Sequence, residues 1–177
     1  WSSDVCSSDL KGEFSFKWGT AVNYKDQTRR GGMDKAKTKD VIALSIKPVY
    51  ANAILSGEKT VEFRKNGIPI AVKTIVLYST QPEQKIVGYF DVKSCKVAPP
   101  SVLWEKYGKL GRIGFDDFNL YYKNKPSGKC FIVEKSYRFV VPIPLSKCKS
   151  FSKSPQSFAY LLKSEWKNMK RKKVVHV

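Results

Sequence analysis

Three charged side chains in the segment Gly57-Glu58-Lys59-Thr60-Val61-Glu62-Phe63-Arg64-Lys65 have the types and the spacing to hold an anionic, base-bearing ligand. Arg64 offers a planar fork of donors to a phosphate or a base edge, and Lys59 a compact cation. Glu62 is an acceptor for exocyclic amino groups, or a partner that orients the two cations. If the segment is a strand, its period of two sets Thr60, Glu62 and Arg64 on one face and Val61 and Phe63 on the other, so the apolar pair enters a core while the charges face a cleft. The plainer alternative for the same residues is an exposed strand with ordinary ion pairs.

Other residues extend this candidate set. Lys47 precedes Pro48 at the start of a predicted helix, where free backbone N–H groups attract anions. Ser79 and Thr80, at the end of a predicted strand, offer hydroxyls, and Gln156 offers an amide that reads a base edge; each also suits a cap or a turn. Unpaired bases stack on aromatic rings, for which Tyr50, Tyr78, Tyr89, Trp104, Tyr121 and Tyr122 are first candidates, although most aromatics in a chain of this size serve its core; Trp104 and Phe158 fall at helical positions expected to pack on the barrel and are not taken as stacking platforms. Cys95, Cys130 and Cys148 are widely separated, form no CxxC pair and meet one histidine, His176, so neither zinc nor disulfides are indicated and reduced, idle thiols are expected. Cys6 belongs to an N-terminal stretch that is expected to carry no fold. No Ser/His/Asp arrangement with a usable histidine, no GxxxxGK[ST] loop and no GxGxxG is present, and no cofactor is expected.

The elements that must position these residues can be read along the chain. Residues 41–46 are an apolar run of strand length. Pro48 then opens a helix over 48–56 that buries Ala51, Ile54 and Leu55 on one stripe and stops at Gly57. Strands are predicted over 60–65, 73–79 and 85–97, with turns at Asn66-Gly67 and 81–84, and Gly88 marks a bulge or a barrel corner. Short helices over 100–107 and 115–122 form an insertion, followed by strands over 130–134 and 137–141, a break at Pro142 and Pro144, and a last helix over 157–166. The run 167–173 is too polar to pack and reads as the start of a solvated basic tail, 167–177. Five to six closely spaced strands with one early helix, a helical insertion and a C-terminal helix predict an α+β fold, a small mixed barrel rather than a doubly wound sheet.

Charge narrows the partner. The chain has 177 residues, 33 Lys+Arg against 15 Asp+Glu, and an apolar fraction of 42%, which is that of a globular protein. Residues 1–32 contribute five basic and four acidic side chains, so the remaining 145 keep a net charge of +17. Such a charge suits a polyanion, because each phosphate contact releases condensed counterions, and nucleic acid is the leading partner; lysine serving solubility alone is the alternative. Residues 1–10 read as a translated sequencing adapter, and Arg29-Arg30-Gly31-Gly32 as a ribosome-binding site translated in frame, so 1–32 is expected to be upstream read-through and Met33 the natural start. The alternative is a genuine arm in which Phe14, Phe16 and Trp18 alternate as a strand would. No run approaches the roughly 20 apolar residues that span a bilayer, and no signal peptide is evident, so a soluble, cytoplasmic monomer with no membrane partner is expected.

The order of motifs resembles the ASCH (activating signal cointegrator homology) domain, of the pseudouridine-synthase-and-archaeosine-transglycosylase (PUA)-like class, in its prokaryotic and phage branch. The blocks that carry the likeness are Ser45-Ile46-Lys47-Pro48, the segment from Ser56 to Lys65, Val76-Leu77-Tyr78-Ser79-Thr80, Ile86-Val87-Gly88-Tyr89-Phe90, Leu103-Trp104 and Pro155-Gln156-Ser157-Phe158. The resemblance implies a PUA-like barrel over 33–166 with a cleft under the first helix that takes a nucleotide or an RNA segment, with Lys47, Lys59, Glu62, Arg64, Ser79 and Gln156 as nucleic-acid-binding residues. Duplex DNA is the weaker partner, since no helix-turn-helix is identifiable in residues 33–177. Some bacterial members are amidohydrolases acting on acetylated cytidine through a lysine, a threonine and a glutamate. Their lysine matches Lys59, but their threonine falls on Glu62, and their glutamate has no clear counterpart among Glu105, Asp116 and Asp117. A metal-independent amidohydrolase using Lys59 and Glu62 is therefore the alternative to a binding module.

Overall fold

Two strands, buried on both faces, form the middle of the fold. β1 (Lys37–Ile46) and β3 (Thr74–Ser79) pair in parallel, from Val41 opposite Thr74 to Ile46 opposite Ser79. Ile42, Leu44, Ile75 and Leu77 enter one apolar cluster, and Val41, Ala43, Val76 and Tyr78 enter another. Burial on both faces is why these strands read as near-continuous apolar runs rather than as alternations. The coordinates are a computed structural model that describes residues 36–65 and 67–176. The expected start at Met33, the alternation of Phe14, Phe16 and Trp18, and Asn66 of the expected turn lie outside the described residues.

Parallel pairing requires a crossover, and α1 (Pro48–Leu55) with β2 (Val61–Arg64) provides it. The helix is as expected: Pro48 stands in its first turn, Ala51, Ile54 and Leu55 are buried, and Gly57 ends it with φ 81°. β4 (Lys85–Ala98) pairs antiparallel with β3 and with β5 (Gly128–Pro144). Gly88 sits at the expected bulge. Tyr78 and Leu77 are consecutive, yet their partners are Ile86 and Gly88, which leaves Val87 as the extra residue. A Cβ on Gly88 would lie 2.3 Å from the Tyr137 carbonyl oxygen and 2.7 Å from Leu55, so only glycine lets β5 and α1 approach this closely.

The strand order is β2-β5-β4-β3-β1-β6, with β6 at Phe158–Leu162, and β7 (Val174–His176) adds to β5. The fold is the expected α+β, PUA-like mixed sheet, with seven strands among the described residues rather than five to six. Among the described residues no pairing joins the end strands β2 and β6, so the barrel stays open along that seam. The helical insertion is α2 (Pro100–Tyr107), a 3-10 turn (Gly108–Gly111) and α3 (Phe115–Tyr122). It packs on the inward face of β2 through Val61, Phe63, Leu103, Phe118 and Tyr122.

Three expectations near the C-terminus need correction. The two short strands expected over 130–134 and 137–141 are one strand, because β4 is long enough to pair with all of it and register shifts around Val92 absorb the irregularity. The helix expected over 157–166 is β6 followed by α4 (Lys163–Lys170). β1 has a second edge to satisfy, and Phe158, Ala159 and Tyr160 pair along it, with Phe158 and Tyr160 facing one cluster and Leu161 the other. The basic run expected to be a solvated tail is tied down as well. Met169 is 2% exposed, Trp166 meets Tyr89 edge-on at 5.1 Å, and Val174, Val175 and His176 pair with Phe139, Arg138 and Tyr137. Trp166 and Met169, three residues apart, anchor the helix in the core, buried Glu165 accepts from the Lys149 and Ser150 N–H groups, and Lys167 and Lys170 stay exposed. No helix among the described residues is long and apolar enough to cross a membrane.

Candidate functional site

The seam that leaves the barrel open is where the charged residues meet. Because β2 does not pair with β1 or β6, Arg64 bridges the gap with its side chain: Nη2 donates to Ser157 Oγ at 3.0 Å, just before β6, and Nη1 approaches the Ser45 carbonyl of β1 at 3.4 Å. A cavity of about 700 Å³ occupies this seam. Its lining brings together Lys47, Lys59, Glu62, Arg64, Thr80 and Gln156, drawn from the ends of β1 and β3, from β2 and from the approach to β6. The insertion closes the other side with Ile113, Asp117, Leu120 and Tyr121, and Tyr50 of α1 completes the wall.

Local structure explains how β2 presents its charged face. Val61 and Phe63 are held in the cluster under α2 and α3, which turns Glu62 and Arg64 the other way. The backbone N–H of Lys59 donates to Ala53 O of α1 at 2.9 Å, and that of Thr60 to Leu110 O of the 3-10 turn at 3.1 Å, so the helix-to-strand junction is fixed from two directions. Tyr122 locks the other end, its hydroxyl donating to Arg64 O at 3.0 Å.

The three charges form one ion-paired unit. Lys59 Nζ is 3.3 Å from Glu62 Oε2, and Arg64 Nη1 is 3.6 Å from Glu62 Oε1. Lys59 is only 3% exposed, and its ammonium also donates to the carbonyl of Gly111 and sits 5.2 Å from the Tyr50 ring centre and 5.7 Å from that of Phe63. Glu62 therefore orients both cations, the second of the two roles its type allowed. Of the three cations that line the cavity, Lys59 is buried, Arg64 has 16% of its side chain exposed and Lys47 is exposed. With Asp117 included, three cations stand against two carboxylates in the lining.

Tyr50 and Tyr121 are the candidate stacking rings that the cavity collects. Burial raises the Tyr50 phenol, and the Asp117 and Glu62 carboxylates raise it further. Burial likewise raises Tyr121, against the opposing pull of Arg64. Both therefore remain neutral at physiological pH, as rings with a hydroxyl to donate. The other candidates serve the core: Tyr78 and Tyr89 belong to the cluster behind the sheet, and Tyr122 to the one under the insertion. Trp104 packs on Phe118 at 5.0 Å.

Ser79 does not join this group. It is fully buried in β3, away from the lining, and its Oγ has no hydrogen-bond partner, whereas the next residue, Thr80, reaches the cavity. Successive strand residues point to opposite faces, and the Ser79-Thr80 pair split accordingly. The expectation missed Ser45, although it lies in the Ser-Ile-Lys-Pro block. Of the three acidic candidates in the insertion, Asp117 lines the cavity; Glu105 and Asp116 do not.

The family model described as the ASCH domain matches residues 44–140. The large ribosomal subunit protein uL22 of Ureaplasma parvum serovar 3 is 31% identical over 126 residues, which take in 71% of this chain. The chain spans 40% of the length of that relative. The ASCH domain-containing ribonuclease of Zymomonas mobilis subsp. mobilis is 28% identical over 126 residues, 69% of this chain and 84% of that protein. A crystal structure of ASCH from Zymomonas mobilis, 25% identical, superposes with a TM-score of 0.69 over 74% of this chain and 94% of its own.

Proposed function

The chain belongs to the ASCH domain family, and from that premise we propose that it binds RNA, taking a nucleotide or a short unpaired segment into the seam cavity. The observation that carries this reading is the convergence of Arg64, Lys47, Gln156 and two neutral tyrosines on one cavity of about 700 Å³. That volume is of ligand-site size, and its lining supplies the two requirements of unpaired RNA: rings for the bases and forked or point cations for the phosphates. The ribonuclease name of the Zymomonas relative supports an RNA ligand. The peripheral lysines add affinity without sequence preference.

Arg64→Ala at fixed salt is the test, read as the affinity for an unstructured RNA oligomer. The expected loss is at least tenfold, as for a charge-assisted hydrogen bond of about 1.5–3 kcal/mol. An unchanged affinity, or a loss no greater than that from neutralising any surface lysine, would leave only a polycation.

The same relative favours a second reading, in which the bound strand is also cut. Gel analysis of labelled RNA incubated with wild type and with Lys59→Ala tests it: strand scission absent from the variant supports cleavage, and intact RNA with the wild type removes it. An amidohydrolase acting on an acylated nucleoside would have to use Glu62 as its base for water. Each oxygen of that carboxylate faces a cation, so we place this reading behind the other two; release of acetate from acetylated cytidine by the wild type, lost in Lys59→Ala, would reverse that order.

A further inference from the structure

We infer that the seam cavity is one station on a longer track for an unpaired RNA strand, and that the next subsite is the cavity across α1 formed by Trp104, Phe115, Lys109, Arg112 and Arg138. The inference rests on the RNA-binding reading of the seam.

The second cavity measures about 1050 Å³. Tyr50 and Ile113 line both cavities, so the two adjoin at these side chains. A ligand leaving the seam past Tyr50 crosses the outer surface of α1 and arrives at an aromatic wall. Phe115 there is 53% exposed and leans on Trp104 at 5.0 Å. Trp104 is itself held by Phe118 at 5.0 Å and packs close on Gly108, where any Cβ would lie 2.8 Å from the indole. A large ring left in water at the mouth of a cavity is the feature that base stacking uses.

Cations stand around this wall. Arg138 is positioned by Asn52, which accepts from its Nη1 at 2.9 Å, Arg112 pairs with Glu58, and Lys109 is exposed on the 3-10 turn. Three cations against one carboxylate, beside an exposed ring and adjoining the seam, complement a phosphate-linked chain of bases. An acidic peptide would satisfy the cations but has no use for the wall.

The test measures affinity for a nucleoside monophosphate and for unstructured RNA oligomers of two, four and six nucleotides, with strand integrity checked on a gel, in wild type, Phe115→Ala and Lys109→Gln. Both substituted side chains are exposed, and unchanged binding of the monophosphate shows that the fold and the seam are intact. Wild-type affinity is expected to rise with length. Phe115→Ala is expected to remove roughly tenfold from the hexamer only, and Lys109→Gln to lower the salt slope for the hexamer by about 0.7. Length-independent wild-type affinity, or equal losses at every length, would overturn the track while leaving the seam reading in place. So would competition by polyglutamate as effective as the hexamer's, which would mark the cavity as a protein-docking surface. If no RNA of any length binds the wild type, the seam reading fails and the track with it.

Discussion

The seam and the C-terminal face are both basic, yet they hold charge in opposite ways. In the seam, Lys59, Glu62 and Arg64 are withdrawn from solvent and bound to each other, to Gly111 and to Ser157. On α4 and the turn that follows, Lys167, Lys170, Arg171, Lys172 and Lys173 are exposed, and only Trp166 and Met169 of that helix reach the core cluster. Paired, buried charges have one geometry and so discriminate between ligands; exposed lysines attract any polyanion and are screened by salt. The comparison teaches that net charge locates the partner class, whereas position relative to the core locates the site.

The strongest way to break the contrast is to remove the carboxylate that both seam cations share. Glu62→Gln leaves the ammonium of Lys59, 3% exposed, without its counter-charge. Losing one member of a buried pair costs about 3–5 kcal/mol, so urea unfolding should show a stability loss of that order, together with loss of RNA binding. A loss below about 1 kcal/mol would mean the triad behaves like a surface pair. Gly111→Ala comes next: its Cβ would lie 2.2 Å from Phe63 Cε2, and its carbonyl holds Lys59. Overpacking there should cost about 1–3 kcal/mol in the same measurement and weaken binding through Lys59.

Neutralising Lys170, Arg171, Lys172 and Lys173 together sharpens the other half of the comparison. Stability should barely change, and the slope of log affinity against log salt for single-stranded RNA should fall by up to about 3. Preference among RNA sequences should survive that change and vanish in Arg64→Ala.

The last effect is a pH dependence of stability carried by two buried thiols. Burial, with a contribution from Glu165, pushes the Cys148 thiol up from 9.0 to about 12, and burial pushes Cys130 up to about 11. The folded state therefore holds these protons more tightly than the unfolded chain. The stability they contribute is complete below pH 9 and is lost as pH rises from 9 toward 12. Urea midpoints at pH 8 and pH 10 should differ in that direction, and a higher midpoint at pH 10 would contradict it.

Much of this was legible beforehand where local signals agreed with burial. Pro48, the Ala51, Ile54 and Leu55 stripe and Gly57 define α1, and the period of two in Val61 to Arg64 separates core from cleft. An apolar run as short as Phe158 to Leu162 suits either a helix or a strand, and only the open edge of β1 decides between them. The C-terminal run looked unfit to pack because polarity hid two anchoring residues, and because β7 depends on a strand some 35 residues earlier for its partner. In the candidate site, residue types pointed to Lys59, Glu62 and Arg64. That Ser79 and Thr80 point to opposite faces follows from the strand period, but which of the two meets the cavity, and that Ser45 and Ser157 receive Arg64, depend on an unclosed seam, which no local pattern reveals.

The most direct measurement is a crystal structure of the chain soaked with a mixture of nucleosides and short RNA oligomers. Density between Arg64 and the rings of Tyr50 and Tyr121 is the result expected from the account. An empty seam, with RNA lying instead along the lysines of α4, would contradict it.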